Sequence, residues 1–290
     1  MNIFNRWKQK KTKPEPAVCA AYSGLYGAVI GDIVGSKYEF NNIRQKDFPF
    51  LSPGCSYTDD TVMTIAVANA LLAYNGDRQT LPQLFVTHMQ SLGRKYPDPK
   101  GGYGGRFIIW LLNRYPKPYN SYGNGSAMRV SACGLYAADL AEARELAAVS
   151  ASVSHNHPEG IKGAEATAAA IFLAKTGKTR EEIRAYIEAN FYPLTETVDE
   201  IRSYYTFNES CQGTVPQAIT AFLESTDFED AIRNAVSIGG DTDTVAAITG
   251  SIAWVYYRES ASEALIEEIN TYLPQEFIDT IRALEKAVRG

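Results

Sequence analysis

The sequence predicts an all-α protein, a compact single-domain bundle of many helices, and three observations carry that prediction. Apolar residues recur at helical rather than alternating spacing, as in Val62, Ile65, Ala68, Leu71 and Leu72, and again in Val245, Ile248, Ile252 and Val255. Alanine-rich stretches at 126–149 and 163–175 have high helix propensity, and their small side chains let helices approach closely. No βαβ alternation and no strand–glycine–helix dinucleotide fingerprint interrupts the pattern.

Taken along the chain, the first sixteen residues, MNIFNRWKQKKTKPEP, are polar and basic with two prolines. Residues 1–18 therefore read as a flexible leader, and 19–290 as the folded domain. An apolar run, Gly24 to Ile30, leads into a flexible turn at 31–39 that ends in an acid. Helices are expected from 62 and from 245, in the two alanine-rich stretches, around His88, and at 178–190, 217–223 and 228–238. Pro274 should divide the C-terminal stretch into helices at 263–269 and 275–286. About ten or more helices crossing at varied angles follow from this reading. Glycine and polar residues punctuate the scaffold at 31–39, 56–61, 101–105, 120–126, 154–163 and 239–244, and further turn signals mark 93–102 and 113–124. Function is expected where these loops and helix starts converge.

Composition excludes several classes. At 290 residues and 45% hydrophobic, the chain can bury a sizeable core. It has no apolar run of about 18 residues and no signal-peptide pattern. A net charge of −5, with no broad basic run past the leader, argues against nucleic-acid binding as the main activity. Cys19, Cys55, Cys133 and Cys211 form no CxxC pair, so zinc-finger and dense-disulfide readings fail and a reducing cytoplasm is the default. A monomer is the default oligomeric state.

Two segments carry more charge than a helix start requires. Tyr57-Thr58-Asp59-Asp60-Thr61 and Gly239-Gly240-Asp241-Thr242-Asp243-Thr244 each place two carboxylates and hydroxyls ahead of a helical run. One capping side chain suffices at a helix N-terminus. Capping and the helix dipole account for Thr58 or Asp241 singly but for neither doublet. Four acids brought together repel unless cations lie between them. Oxygen-only donors, Thr58, Asp59, Asp60, Asp241, Asp243 and Thr244, suit Mg²⁺ or Mn²⁺ better than zinc, and a charge of −4 matches two divalent ions. Glu39, at the end of Gly31-Asp32-Ile33-Val34-Gly35-Ser36-Lys37-Tyr38-Glu39, adds a fifth carboxylate able to orient or deprotonate water, while Asp32 either holds the loop or approaches the ligand.

A second constellation suits an anion. Asn120-Ser121-Tyr122-Gly123-Asn124-Gly125-Ser126 precedes a helix, and its glycines can turn backbone N–H groups towards a diphosphate. An Asn-Gly loop with a Ser cap explains the same residues without a ligand. Gly101-Gly102-Tyr103-Gly104-Gly105-Arg106 offers a second wall, or a mobile connection. Of the three histidines, His88 reads as structural, and one of His155 and His157 is available to a ribose or phosphate while the other braces the loop.

These segments together resemble the ADP-ribosylglycohydrolase family, which includes dinitrogenase-reductase-activating glycohydrolases and ADP-ribosyl-acceptor hydrolases. The resemblance runs through GAVIGDIVGSKYEF at 27–40, YTDDT at 57–61, YGGRF at 103–107, NSYGNGSAMRVS at 120–131, SHNHPEGIKGAEA at 154–166 and SIGGDTDTVAAITG at 237–250. It implies an all-α hydrolase with two Mg²⁺ or Mn²⁺ ions held by Thr58, Asp59, Asp60, Asp241, Asp243 and Thr244. Glu39 matches the acid associated with the catalytic water and the distal ribose, with Asp60 and Asp241 as the other candidates for general base. Gly105, Asn120, Ser121, Tyr122, Gly123, Asn124, Gly125 and His157 match the substrate-binding positions, with His155 the less certain of the two histidines. The implied substrate is an ADP-ribosylated protein, with arginine as the first acceptor expected and ADP-ribosyl-serine or O-acetyl-ADP-ribose as alternatives. An inactive ADP-ribose-binding protein is a further alternative.

Overall fold

Helix α13 (Thr242–Tyr257) runs through the middle of the molecule, and every residue from Thr242 to Trp254 is buried. Burial on all sides explains why the segment is apolar or small all the way round rather than striped. The computed structural model describes residues 24–257 and 263–289, so the leader and Cys19 lie outside the described residues. Ahead of α13 come α1 (Leu25–Gly35), α2 (Asp59–Leu72), α3 (Leu81–Lys95), α4 (Gly105–Leu112), α5 (Gly125–Met128) and α6 (Ser131–Tyr136). They are followed by α7 (Leu140–Ser152), α8 (Pro158–Lys175), α9 (Arg180–Asn190), α10 (Val198–Tyr204), α11 (Cys211–Leu223) and α12 (Phe228–Ile238). Helices α14 (Glu263–Asn270) and α15 (Gln275–Arg289) complete the order. Strand pairing among the described residues is limited to two isolated bridges, Thr58 with Lys100 and Gly123 with Ser210, so the fold is an all-α bundle. Helices α1, α8, α11 and α12 pack around α13, and none in the described residues is long and apolar enough to cross a membrane. Cys55, Cys133 and Cys211 are free and buried.

The seam between α1 and α13 is set by glycine. Gly27, Gly31 and Gly35 lie four residues apart on one face of α1. A Cβ at Gly31 would stand 2.0 Å from the Ala246 carbonyl oxygen, at Gly27 2.3 Å from that of Gly250, and at Gly35 2.3 Å from that of Thr242. Backbones this close leave no room for a side chain. Near the C-terminal end of α1 the contact is polar as well, with Thr242 Oγ1 donating to the Gly35 carbonyl at 2.8 Å.

The structure corrects four expectations. The segment at 31–39 is no flexible turn: α1 continues through Gly35, because its glycines serve helix packing rather than chain reversal. The stretch 126–149 is three helices, α5, α6 and α7, the last started by Asp139, whose Oδ1 accepts the Glu142 N–H at 2.8 Å. Helix α8 begins at Pro158, not 163, since His157 caps it and proline suits a first helical turn. Helix α11 begins at Cys211, six residues before 217, where Ser210 Oγ accepts the Gly213 N–H at 3.2 Å. Helices α4 and α10 lie where the sequence reading gives none, although Thr197 and Glu200 form a reciprocal capping box that marks the start of α10.

Gly31→Ala should cost roughly 1–3 kcal/mol or more in denaturant unfolding, because the intruding methyl pushes α1 from α13. Gly104→Ala, whose Cβ would meet nothing within 4 Å, should change stability by about 0.5 kcal/mol or less. Equal effects at the two positions would show that the seam is not tightly packed.

Candidate functional site

The approach of α1 to α13 carries Asp32 into the interior beside the start of α2. Asp32 is fully buried, and its carboxylate accepts the Thr58 N–H at 2.9 Å, the Thr58 hydroxyl at 2.7 Å and the Thr61 N–H at 3.1 Å. The Thr61 hydroxyl donates to it too. With four donors, Asp32 holds the start of α2 in place. Thr58 in turn caps α2, its Oγ1 accepting the Asp60 N–H at 3.2 Å. Asp59 and Asp60 therefore sit in the first turn, where the helix dipole favours negative charge.

The second acidic pair is placed by a tight turn. Gly239 and Gly240 have φ of 76° and 74°, and a Cβ at Gly240 would lie 2.4 Å from the Tyr205 ring. Asn42 clamps this turn to the Glu39 loop. Its amide donates to the Gly240 and Glu39 carbonyls, both at 2.9 Å, and its oxygen accepts the Gly240 N–H at 2.8 Å. The two acidic helix starts are bonded directly, Thr244 Oγ1 donating to Asp60 Oδ2 at 3.1 Å. Asp241 is held by Asn124, whose amide donates to its Oδ2 at 2.7 Å and to Thr214 Oγ1 at 3.0 Å.

Carboxylate oxygens of Glu39, Asp241 and Asp243 lie within 4.8 Å of one another, forming a small cluster suited to a metal ion. Glu39 Oε2 and Asp60 Oδ1 are buried with no hydrogen-bond partner. Buried carboxylate oxygens left without donors are costly, and a cation satisfies them. Every candidate donor is a carboxylate or hydroxyl oxygen, which fits a hard divalent ion. The residues present therefore fit the metal that the sequence implies.

Electrostatics describe the same cluster. Burial pushes the carboxyls of Asp59, Asp60 and Asp243 well above the ordinary range, and the neighbouring acids raise them further. Glu39 is raised to about 7 by burial and then by the charges of Asp241 and Asp32, with Lys100 opposing. Asp32 is raised to about 6 by burial, against the bonds from Thr58 and Thr61.

Above the acids opens a cleft of about 560 Å³. Its lining includes Glu39, Asp59, Asp60, Asp241, Asp243 and Thr244, together with Gly105, Ser121, Gly123, Asn124 and Gly125, so most of the predicted residues meet there. Thr58 is fully buried and does not line it. Asn120, Tyr122 and His157 are also absent from the lining. Asn120 adopts a φ of 53° and donates its N–H to Asn156 Oδ1 at 2.7 Å. The exposed Tyr122 ring meets His157 edge-on at 5.3 Å, while His157 Nδ1 accepts the Glu159 N–H at 3.1 Å. His155 lines the cleft instead. Burial, followed by the charges of Arg129 and Arg106, holds its imidazole well below the usual histidine range. The backbone N–H of Asn124 is spent on the Glu209 carbonyl at 2.7 Å and that of Gly123 on Ser121 Oγ at 3.1 Å, so not every amide of this loop is free for an anion.

The sequence reading singles out none of Asn42, Arg129, Phe40, Phe207 and Glu209. Asn42 acts through backbone atoms and leaves no motif. Phe40 and Phe207, both exposed, line the cleft as a stacked pair with centroids 6.3 Å apart.

The raised carboxyls predict how the metal-stripped protein responds to pH. Each holds its proton to higher pH when folded than when unfolded, so the folded chain binds more protons from about pH 4 upward. Stability is therefore fully present below the unfolded values and is lost as pH rises through the folded ones. In EDTA, Tm should be lower at pH 8 than at pH 5 by on the order of 5 °C. Adding Mg²⁺ or Mn²⁺ should raise Tm more at pH 8 than at pH 5, since cations replace the bound protons. A Tm that climbs with pH in EDTA would contradict the clustering of the acids.

The match to known proteins agrees with this geometry. The family model described as ADP-ribosylglycohydrolase matches residues 18–288. Human ADP-ribosylhydrolase ARH3 is 26% identical over 80% of this chain and 84% of its own. The ADP-ribosylarginine hydrolase Tri1 of Pseudomonas putida is 26% identical over 88% of this chain and 76% of its own. A solved structure described as an ADP-ribosylglycohydrolase-related protein complex superposes with a TM-score of 0.68 at 24% identity, covering 93% of this chain and 98% of that one, and shows the same fold. The chain is a hydrolase that belongs to the ADP-ribosylglycohydrolase family.

Proposed function

We propose that the protein hydrolyses the bond between the distal ribose of ADP-ribose and an acceptor oxygen, with the acidic cluster holding two Mg²⁺ or Mn²⁺ ions. The observation that carries this reading is the pair of buried, partnerless oxygens, Glu39 Oε2 and Asp60 Oδ1, at the floor of the cleft. Asp59, Asp60, Asp241, Asp243 and the hydroxyls of Thr58 and Thr244 would hold the cations. Thr58 Oγ1 donates to Asp32 and accepts from Asp60, which leaves one lone pair for a ligand. When bound, the cations supply positive charge that polarises the ribose oxygens and acidifies water.

Among the carboxylates, Glu39 is best placed as general base. Asp60 Oδ2 is tied to Thr244 and Asp241 Oδ2 to Asn124, and both acids are assigned to the cations, whereas Glu39, with a partnerless Oε2 of its own, is left for the water. Glu39 takes a proton as water bonds to the anomeric carbon, and returns it to the acceptor oxygen as the glycosidic bond breaks. The loop that brings Ser121, Gly123 and Gly125 to the cleft aligns the rest of the substrate, so that binding away from the reacting bond fixes its geometry.

The acceptor order favoured by the relatives differs from the sequence expectation. One relative, Tri1, is named an ADP-ribosylarginine hydrolase, whereas relatives described as the ADP-ribosylhydrolase ARH3 recur at similar identity in human, bovine and mouse, and we weight the reading towards that type. ADP-ribosyl-serine and O-acetyl-ADP-ribose therefore come first, with arginine as the second reading.

Mass-resolved turnover of O-acetyl-ADP-ribose and of matched serine- and arginine-modified peptides, with Mg²⁺ or Mn²⁺ against EDTA, tests this order. Intact ADP-ribose should leave the oxygen-linked substrates, and turnover of the arginine peptide alone would reverse the order. Glu39→Gln should lower kcat by about 10²–10⁴-fold while ADP-ribose still binds. Release of phosphate in place of ADP-ribose would overturn the reaction class.

A further inference from the structure

The wall of the cleft contains a cation that the reaction leaves unexplained. Arg129 is fully buried, and its guanidinium pairs with no carboxylate among the described residues. Its Nη2 donates to the Ser150 carbonyl at 2.6 Å and to Ser154 Oγ at 2.9 Å, and the Phe107 ring lies 5.8 Å away. Nε has no partner. A buried guanidinium without a counter-ion is expensive, and its bonding pattern indicates what it is kept for.

The hydroxyl of Ser154 connects it to His155. Ser154 is fully buried, and its Oγ has two side-chain partners, Arg129 Nη2 and His155 Nδ1 at 2.8 Å. Arginine has no acceptor atom, so the buried hydroxyl proton can go only to Nδ1. Nδ1 then accepts, and the ring proton resides on Nε2. Among the described residues the side-chain hydrogen bond of His155 is made at Nδ1, and none is made at Nε2. A Cβ at Gly123 or Gly125 would stand 3.5 and 3.4 Å from it, which places Nε2 against the loop lining the cleft.

We propose that Arg129 is a positioning residue that, through Ser154, fixes His155 as the neutral tautomer protonated on Nε2 and so presents one N–H to an anionic oxygen in the cleft. The identity of that oxygen as one of the diphosphate's rests on the ADP-ribose reading; the tautomer does not. The same cation opposes a second proton on the ring. So does Arg106, which lies 4.8 Å over the Tyr119 ring, itself 5.4 Å from His155. The charges that face His155 are thus both positive, its other close neighbours being Tyr119, Phe107 and Ser154. Burial first, and then these two charges, keep a second proton off the ring, so His155 stays a donor.

Side-chain nitrogen spectra of the full-length ¹⁵N-labelled protein test this, with the three histidines separated through His88→Gln and His157→Gln. From about pH 5 to 8 His155 should show an unprotonated Nδ1 and a protonated Nε2. Ser154→Ala and Arg129→Met should each give a mixed or reversed tautomer. Each should also weaken ADP-ribose binding and raise KM about tenfold with kcat nearly unchanged, and Ser154→Thr should restore both. A proton on Nδ1 in the unmodified protein overturns the proposal, and that measurement needs no variant to fold. A wild-type tautomer in both folded variants overturns it equally. The expected tautomer with no ADP-ribose binding overturns instead the ligand reading of the cleft.

Discussion

The site depends on a contact that contains no functional group. Helices α1 and α13 meet backbone to backbone through Gly27, Gly31 and Gly35, so close that a single methyl at Gly31 would meet the Ala246 carbonyl at 2.0 Å. From that seam two placements follow. Asp32, on α1, is driven into the interior, where the start of α2 satisfies it. The Asp241–Thr244 segment, at the start of α13, is brought beside Glu39, which follows α1 by four residues. A helix pair held apart by ordinary side chains would separate the carboxylates that have to converge.

Convergence of this kind opposes folding. The cluster gathers acids that burial and mutual repulsion push towards their neutral forms. The chain offsets part of that cost locally, with hydroxyls of Thr58, Thr61 and Thr244 and with two helix N-termini facing the charge. The offset is uneven. Asp32 receives four donors, whereas Glu39 Oε2 and Asp60 Oδ1 receive none. That division separates an acid that holds the fold from acids left open towards the cleft better than burial does, because Asp32 and Asp60 are almost equally buried.

What the sequence revealed follows the same line. Doubled acids ahead of a helical run are legible because one cap is enough, so TDDT and GGDTDT stand out by their surplus, and the structure brings them into one cleft. The all-α class was equally legible, since helical periodicity is local. Three things were not. Gly31 and Gly35 look like turn residues until the partner helix is known, and a spacing of four within one helix does not name that partner. Asn42 works through main-chain atoms of Gly240 and Glu39, far apart in the chain, and leaves no pattern at all. Of the two histidines in SHNHP, the one beside the proline carries the capping role and the earlier one faces the cleft, a choice made by helix geometry rather than by residue type.

The cleft carries charges of both signs, and this constrains what fits there more than its volume does. Its acids form a cluster suited to a metal ion. Its wall has Arg129 buried in it, with Arg106 in the lining and an imidazole kept neutral by burial and then by both cations. A ligand that matched one set of groups alone would leave the other unpaired. An elongated molecule with a diol at one terminus and an anionic bridge near its centre meets both, and ADP-ribose has that order of groups. Arg129 then has a reason to be buried without a counter-ion: a fixed carboxylate beside it would cancel the field that the ligand's own charge is meant to meet.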